Sequence, residues 1–281
     1  MEYPKFQEQQ SQPTSGPREF AALHHLGAPS GSYRYRTVYQ LATFITFIVT
    51  GLALFLPIWL LFSSATDELS FENADAAIFA FVSGSVIALM ALALLWVGIR
   101  GLVAVYQHHG TTIYLYKEGF ILAERSKNEI VRWEQVSAFW QSITRPYING
   151  IPAKTRYFYR IQTRENRKYT FGDNVSDIAE MGQKLTREIT RTLLPRAIAA
   201  YESGETVSFG KFRINKQGIS ERQKTLPWNR VERIEVETGR ILLKKRGQYL
   251  NWSNVLVAEI PNALVLVGLV DYVLEMRNKG A

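Results

Sequence analysis

Two long apolar stretches constrain the fold of this chain more than any other feature. They cover Val38–Phe62 and Ala76–Ile99, and the segment between them, Ser63–Asp75, carries only acidic charges. At about 1.5 Å per helical residue, each stretch can cross roughly 30 Å of hydrocarbon. Neither stretch has the polar face that a helix of a soluble protein needs. The sequence therefore predicts a two-helix transmembrane hairpin within residues 38–105.

The charges around the hairpin predict its orientation. Arg34 and Arg36 precede the first span, and Arg100 closes the second, whereas the connecting segment has no Lys or Arg. Basic flanks stay in the cytoplasm. We therefore expect a multi-pass membrane protein with both termini cytoplasmic. Because neither span contains an ionisable residue before Arg100, the hairpin is predicted to be an anchor and not a transport path.

Small residues within the second span indicate close helix packing. Gly84 and Ala88 are spaced four residues apart, which is typical of helices that approach each other closely in membranes. The two spans of one chain can use this pair, and a homodimer can use it as well. Both interpretations are open from the sequence.

Composition limits the rest of the chain. The 281 residues include no Cys, which excludes disulfides, thiolate metal sites and a catalytic cysteine. Residues 1–37 are rich in Gln, Ser, Pro and Gly and are predicted to be a disordered cytoplasmic tail. Residues 106–281 hold 28 basic and 18 acidic residues, a formal charge of +10. That charge would lie beside an anionic inner leaflet, which attracts basic groups.

The sequence after the transmembrane hairpin contains two similar successions of predicted elements. Each copy has several short β-type runs followed by an apolar helical stripe. We expect a first unit with its connecting helix at 106–201 and a second at 202–281. The fold class is thus α+β: a transmembrane helical hairpin followed by two units, each of several antiparallel strands closed by a C-terminal helix.

Two short matches support the repeat. Lys117-Glu118-Gly119-Phe120 matches Lys216-Gln217-Gly218-Ile219, and Trp133-Glu134-Gln135-Val136 matches Trp228-Asn229-Arg230-Val231. The offsets are 99 residues at the glycines and 95 at the tryptophans. Gly119 and Gly218 are predicted to supply the positive φ of a tight turn. Trp133 and Trp228 are predicted core residues.

Several local predictions follow from turn and helix signals. The segment Thr144–Ala153, with two prolines and a glycine, is predicted to be a loop. An amphipathic helix from Ile178 is expected to be capped by Asn174 or Ser176 and interrupted at Pro195. Asn262 is expected to cap a final helix, Ala263–Met276.

The repeated unit resembles a pleckstrin-homology-like (PH-like) domain. The K-x-G turn, the W-x-x-V segment, the hairpins and the closing helix are similar to bacterial PH-like domains on small membrane proteins. The whole chain resembles an uncharacterised bacterial family with a two-span N-terminal anchor and a cytoplasmic PH-like tandem. The recurrent pieces are Gly204–Gly210, Leu226-Pro227-Trp228 and Ile260-Pro261-Asn262. The resemblance implies that each unit is a bent antiparallel sheet, or partial barrel, capped by its C-terminal helix. It also implies a location in the bacterial inner (cytoplasmic) membrane, and it supplies no catalytic activity that could be carried over to this chain.

Motifs for catalysis are missing from the sequence. No His follows His109, so a Ser-His-Asp triad cannot form in the repeats. Phosphate-binding glycine loops and HExxH are also absent. We predict no catalytic residue, no cofactor and no metal site, and an enzyme of unfamiliar type is only a remote alternative.

Basic residues on turns and strands offer candidate contacts for anionic lipid headgroups. They are Lys211, Arg213, Lys216, Arg222, Lys224, Lys244, Lys245, Arg246, Arg164, Arg167 and Lys168. The alternative is that they are ordinary solvated charges. Nucleic acid is disfavoured, because the aromatic residues follow core alternation and not a stacking platform.

The sequence thus predicts a membrane-anchored cytoplasmic interaction or scaffold protein without enzymatic activity, whose protein partner is unknown. The alternative is a PH-like module that binds anionic lipid or its headgroup.

Overall fold

A computed structural model describes residues 17–67, 74–108, 110–124 and 127–279. The described chain divides into two units. One holds residues 35–111, and the other holds the residues up to Arg34 together with those from Thr112 onward. Glu68 and Glu72 of the acidic segment, and residues 1–16 of the tail, lie outside the described residues.

Three helices form the apolar unit. They are α2 (Val38–Ala53), α3 (Phe55–Asp67) and α4 (Ala74–His108). Pro57 accounts for the one-residue break at Leu54, because a proline cannot donate to the carbonyl four residues earlier and its ring clashes there. Two stretches are long and apolar enough to cross a membrane, Gln40–Ser63 and Ile78–Tyr106.

Glycines allow close packing inside this unit. A Cβ added at Gly98 would touch Ile48, and one at Gly51 would touch Leu95, so the α2 and α4 backbones approach closely at these points. Gly84 faces Phe62 of α3. This contact is the within-chain packing that the sequence allowed, and the homodimer seam stays a prediction.

The second unit begins before the apolar helices, which corrects the prediction of a disordered tail through residue 37. A short helix, α1 (Pro17–Leu23), and a strand, β1 (Pro29–Arg34), are ordered elements of this unit. Leu26 is fully buried between them. Lys184 donates to the Ser30 carbonyl at 2.6 Å, and Tyr33 donates to Glu180 at 3.2 Å. The polar composition predicted that the entropy cost of ordering would keep this segment disordered. Burial of these side chains offsets that cost.

The strands of the first repeat form two main antiparallel sheets and a small hairpin. The four-stranded sheet has the order β1-β2-β3-β4 and the three-stranded sheet β5-β8-β9, and β6 pairs only with β7. The bounds are β2 (Thr112–Tyr116), β3 (Gly119–Ala123), β4 (Asn128–Arg132), β5 (Val136–Thr144), β6 (Tyr147–Ile148), β7 (Ile151–Pro152), β8 (Arg156–Thr163) and β9 (Lys168–Gly172). The predicted loop over 144–153 thus contains a hairpin.

The second repeat has the same order of elements. A four-stranded sheet β10-β11-β12-β13 is followed by a three-stranded sheet β14-β15-β16. The bounds are β10 (Val207–Phe209), β11 (Phe212–Ile214), β12 (Gly218–Glu221), β13 (Lys224–Pro227), β14 (Val231–Glu237), β15 (Arg240–Lys245) and β16 (Asn251–Leu256). Each repeat ends in a helix, α5 (Ile178–Glu202) or α6 (Ala263–Lys279). The chain is therefore a mixed α+β protein with antiparallel sheets.

The matched tryptophans occupy equivalent places. Each begins a 3₁₀ turn between the two sheets of its repeat and is buried. The indole N–H of Trp133 donates to the Tyr116 carbonyl at 3.2 Å, and that of Trp228 donates to the Asn215 carbonyl at 2.8 Å. The two acceptors are themselves 99 residues apart, as the glycines are.

The matched glycines are also equivalent, but for a different reason from the predicted one. Gly119 and Gly218 begin β3 and β12 and are not among the residues of positive φ. A Cβ at Gly119 would overlap the Val131 carbonyl oxygen, and one at Gly218 would overlap the Leu226 carbonyl oxygen. Close approach of the paired strand requires glycine here.

The helix ends differ from the sequence predictions. The residue before α5 is Asp177, in a left-handed conformation and without a side-chain cap bond, so neither Asn174 nor Ser176 is the cap. The helix also continues through Pro195 to Glu202. Buried Ala197 and Tyr201 beyond the proline hold that segment against the second repeat's core, which offsets the lost backbone bond.

Asn262 joins the two repeats instead of capping α6 with its side chain. Its Oδ1 accepts from the Phe139 N–H at 2.9 Å, and its Nδ2 donates to the Ser137 carbonyl at 2.9 Å. Its own N–H donates to the Phe139 carbonyl at 2.8 Å. Its φ of +55° turns the chain so that all three bonds reach β5.

Candidate anion-binding cleft

A cleft of about 660 Å³ opens in the second repeat at the ends of several strands. It is formed by the β10–β11 turn, the β12–β13 turn, the start of β15, the end of β16 and the segment after β16. The lining residues are Lys211, Glu221, Arg222, Gln223, Lys224, Arg240, Asn254, Val255, Leu256 and Glu259. Four of them are basic and two are acidic, so the lining carries a net positive charge.

Two tight turns place three of the basic residues. Phe209 pairs with Phe212 across the two-residue turn that contains Lys211. Glu221 pairs with Lys224 across the turn that contains Arg222. The Arg222 N–H donates to the Lys211 carbonyl at 3.1 Å, which ties the two turns together.

Backbone strain and a side chain support the second turn. Arg222 has a φ of +53°, a conformation that costs energy for a residue with a side chain. Arg213 donates from Nη2 to the Arg222 carbonyl at 3.1 Å. This bond helps to hold the Arg222 turn beside the cleft.

On the opposite wall of the cleft, Arg240 supplies a further positive charge. Arg240 begins β15 and donates to the side-chain oxygen and the backbone carbonyl of Asn254. Those bonds fix the guanidinium on one side, and its charge also acts on the Glu259 carboxylate across the cleft.

Glu259 is the internal counter-charge of the cleft. Its Oε2 lies 2.7 Å from the Lys211 Nζ. That hydrogen bond, with the Coulombic attraction of Lys211 and then of Arg240 and Arg222, lowers the pKa of the Glu259 carboxyl below its ordinary value. The carboxylate therefore stays ionised near neutral pH and occupies Lys211.

The lining offers charged donors and amides, which suits binding of an anionic oxygen-rich group. The cleft does not pair a nucleophile with a base in the way that covalent catalysis needs. Among the described residues, no group of three or more His, Asp or Glu side chains is arranged to hold a metal ion.

The structure gathers only some of the predicted lipid contacts. Lys211, Arg222 and Lys224 share the cleft, and Arg213 supports it. Lys216 is elsewhere, with its Nζ 4.2 Å from the centre of the Tyr201 ring.

The remaining predicted basic residues lie outside this cleft. Lys244 and Lys245 end β15 and Arg246 follows it, and the Lys244 Nζ lies 3.6 Å from the Glu235 carboxylate. Arg164, Arg167 and Lys168 are at the β8–β9 turn of the first repeat.

Arg167 is engaged within the fold. It contacts Glu129 at 2.7 Å and Glu165 at 2.6 Å. The bond to Glu129 raises the pKa of the Arg167 guanidinium, so this cation is neutralised by partners of its own chain.

Sequence reasoning missed Arg240 and Asn254. The signal was present, because Thr238-Gly239 is a turn between two β-type runs and places Arg240 at a strand start. What the sequence could not supply was the β15–β16 register, which pairs Arg240 with Leu256 and brings Asn254 within reach.

Comparison with known proteins gave one match. A family model, described as a family of unknown function (DUF6585), matches residues 6–279. The comparisons found no matching curated protein and no matching solved structure. Because that family model covers nearly the whole chain, the protein belongs to this family of unknown function.

Proposed function

We propose that the protein is a membrane-anchored interaction module without enzymatic activity, whose two repeats are PH-like units on the cytoplasmic side of a bacterial inner membrane. The observation that carries the proposal is the place of the apolar helices in the chain. Arg34 at the end of β1 pairs with Thr112 at the start of β2, and the helices lie between these two residues in sequence. Both ends of the apolar segment are therefore held side by side.

This arrangement favours a hairpin that crosses the membrane twice. Two stretches of sufficient length and apolarity lie between the paired residues. Since an even number of crossings returns the chain to its starting side, β1 can pair with β2 in one sheet without either strand passing through lipid. The basic flanking residues support the cytoplasmic side.

The order of elements supports the PH-like assignment. Each repeat has a four-stranded antiparallel sheet, a three-stranded antiparallel sheet and a closing helix. This order of elements supports the sheet with a closing C-terminal helix that the sequence resemblance implies. Such units serve binding, and the lining of the cleft in the second repeat is suited to the same role.

Labelling of intact cells tests the anchor and its orientation. The natural chain has no Cys, so a single Cys within Ser63–Asp75 should react with a membrane-impermeant maleimide. A single Cys at the exposed Ser208 should react only after the cells are permeabilised. Labelling of Ser208→Cys in intact cells, with none in the 63–75 segment, would reverse the proposed orientation.

A second candidate function is recognition of anionic lipid headgroups, and the cleft favours it. Three cations from two joined turns and a fourth from β15 converge around one opening. Charge-assisted bonds from such groups to a phosphate contribute about 1.5–3 kcal/mol each. A scaffold that binds only protein partners does not require this convergence.

The cleft can be tested with the full chain in neutral detergent. The probe is glycerophosphoglycerol, the water-soluble headgroup of phosphatidylglycerol, and the measurement is a calorimetric titration. Arg222→Gln and Arg240→Gln should each weaken binding by about tenfold. Lys168→Gln, which removes the same charge from the exposed β8–β9 hairpin, should leave the affinity unchanged.

Inorganic phosphate at the same concentrations separates headgroup recognition from general anion binding. Equal affinity for both probes would indicate a phosphate site. Equal weakening by Arg222→Gln and Lys168→Gln would show that only the net charge of the protein attracts the probe, and the cleft would then lose its assigned role.

A further inference from the structure

The hairpin of β6 and β7 presents large apolar side chains to solvent. Tyr147 is 68% exposed and Ile151 is 70% exposed. Asn149 and Gly150 join the strands with φ values of +52° and +79°, which suits a tight two-residue turn. The Ala153 N–H donates to the Pro146 carbonyl at 2.8 Å and closes the base of the hairpin.

The base of this hairpin is basic. Arg145, Lys154 and Arg156 are all exposed, and the segment 145–156 contains no Asp or Glu. Within the described parts of the chain, no carboxylate lies within ion-pair distance of these three residues. An apolar tip above a cationic base matches the interface of an anionic bilayer, where rings and aliphatic groups enter the headgroup boundary and cations face phosphates.

The hairpin grows from the same end of the first repeat from which the chain leaves toward the apolar helices. At that exit, the Ser176 N–H donates to the Arg34 carbonyl at 2.7 Å, and the Arg34 N–H donates to Ser176 Oγ at 3.0 Å. Three residues before Ser176, the Asp173 carboxylate accepts from the Tyr157 N–H at 2.8 Å.

Tyr157 links this exit to the hairpin. It pairs with Ile143, one residue before the end of β5, and the hairpin Tyr147–Pro152 projects beyond that end. The hairpin base is therefore connected to the chain exit through two short hydrogen-bonded steps. The hairpin and the points where the chain leaves for the apolar helices and returns from them therefore share one end of the first repeat.

We propose that the hairpin Tyr147–Pro152 inserts its apolar tip into the interface of the bilayer that anchors the chain, with Arg145 and Lys154 on anionic headgroups. This inference rests on the proposed membrane anchor. The surface that this hairpin binds is a lipid bilayer, because the tip is apolar and its base has only positive charge. In addition, the chain leaves for the apolar helices at the same end of the first repeat.

The second repeat provides a matched comparison. Tyr249 is fully exposed on the β15–β16 turn, close in sequence to Lys244, Lys245 and Arg246. The equivalent turn in the first repeat is at Arg164, whose N–H donates to the Gln135 carbonyl at the start of β5. Tyr249 is thus also an exposed aromatic residue close to basic residues. It lies at the end of its repeat opposite to the end that carries the β6–β7 hairpin in the first repeat.

The experiment measures the depth of each tip in proteoliposomes. The full chain carries one Cys, at Tyr147 or at Tyr249, labelled with the polarity-sensitive dye NBD. The vesicles contain phosphatidylcholine and phosphatidylglycerol, with a nitroxide near the headgroup end of the acyl chain. We expect blue-shifted emission and strong nitroxide quenching at position 147, and several-fold weaker quenching at 249.

Two further variants test the chemistry. In the Tyr147→Cys chain, Ile151→Ser should remove most of the quenching, and Arg145→Gln with Lys154→Gln should reduce it several-fold in anionic vesicles. Arg164→Gln with Lys168→Gln, which removes two positive charges from the exposed β8–β9 turn, is the charge-matched control and should have no effect. Circular dichroism of each variant checks that the fold is retained.

The outcomes separate this inference from the anchor. If the chain is not carried with the vesicles on flotation through alkaline carbonate, the proposed function fails. If it floats but position 147 stays water-exposed, or is quenched no more than 249, the tip does not insert and the inference is wrong. Protection of position 147 only when a cell extract is added would assign the hairpin to a protein partner instead.

Discussion

The two repeats differ most at the connection between their first two strands. In the second repeat, Phe209 and Phe212 pair across a turn of two residues, Gly210 and Lys211. In the first repeat, Arg34 and Thr112 pair at the same position in the strand order, and residues 35–111 lie between them in sequence. A sheet requires only that the ends of an insertion meet, and the entropic cost of closing a loop grows slowly with its length.

This difference teaches how one fold can carry two roles. In the second repeat the short turn leaves Lys211 at the cleft beside Arg222. In the first repeat the corresponding point is where the chain departs for the apolar helices. Under the proposed function, one repeat uses this end for attachment and the other keeps it available for a ligand.

Exchanging the two connections should have the largest effect. Replacing residues 35–111 by Gly-Lys, the turn of the second repeat, keeps β1 and its partner Thr112. We expect the protein to move completely from the membrane fraction to the soluble fraction and to retain its β-rich circular dichroism. Ultracentrifugation of lysates measures this directly.

A truncation sharpens the same test. A chain that begins at residue 108 also lacks the apolar helices, but it loses β1, Leu26 and the bond from Tyr33 to Glu180. It should be less stable than the Gly-Lys version and melt at a lower temperature. Equal melting temperatures would mean that β1 contributes nothing, and the insertion argument would fail.

The sequence predicted those elements that have a local hydrophobic periodicity, a local sequence repeat or a distinctive local composition. The apolar stretches, the repeat at Gly119 and Gly218, and the amphipathic stripe of α5 all agree with the structure. It could not reveal β1, because a short strand in a polar context becomes recognisable only when its partner is known. That partner, Thr112–Tyr116, is separated from it by the whole apolar segment.

The candidate site was predictable only in part for a similar reason. Lys211, Arg222 and Lys224 were identified as basic turn residues. Their convergence with Arg240 depends on strand register and on the bond between the Arg222 N–H and the Lys211 carbonyl. Charge counts along a sequence contain no information about such non-local pairing.

The tryptophans give the next largest effect and test whether the repeats are equivalent. Trp133 and Trp228 are 1% and 3% exposed. Trp133→Ala and Trp228→Ala should each lower the free energy of unfolding by about 3–5 kcal/mol, since each leaves a large cavity. Thermal melting in neutral detergent measures the difference, and the half-buried Trp140 is the control for loss of an indole. If only one of the two central variants is destabilised, the repeats do not share a core design.

The contact between the repeats should have a smaller effect. Asn262→Ala removes two side-chain hydrogen bonds to β5 and leaves an L-residue at positive φ. We expect a loss of about 1–3 kcal/mol, which is the combined contribution of two hydrogen bonds. Asn262→Gly removes the same bonds but relieves the backbone, so it should lose less. A loss that is the same for both variants would show that backbone strain plays no part.

The smallest expected effect concerns Glu259 and the pH dependence of glycerophosphoglycerol binding to the cleft of the second repeat. Glu259 occupies Lys211, so Glu259→Gln should strengthen glycerophosphoglycerol binding several-fold by freeing that cation. Lys211, Arg240 and Arg222 lower the pKa of the Glu259 carboxyl. The ratio of the two affinities should therefore stay constant from pH 8 to about pH 5.5.

Below that range the two proteins should converge. A lowered carboxyl pKa means that the ion pair with Lys211 is present above the ordinary value of 4.5 and is lost as the pH falls through the lowered value. Protonation of Glu259 then frees Lys211 in the natural chain just as the substitution does. Calorimetric titrations at pH 8, 6.5, 5.5 and 4 follow the ratio. If the ratio already falls between pH 8 and 6.5, a group other than Glu259 controls the affinity of the cleft for glycerophosphoglycerol. The role assigned to the turn of the second repeat, with Lys211 held by Glu259, would then need a different physical basis.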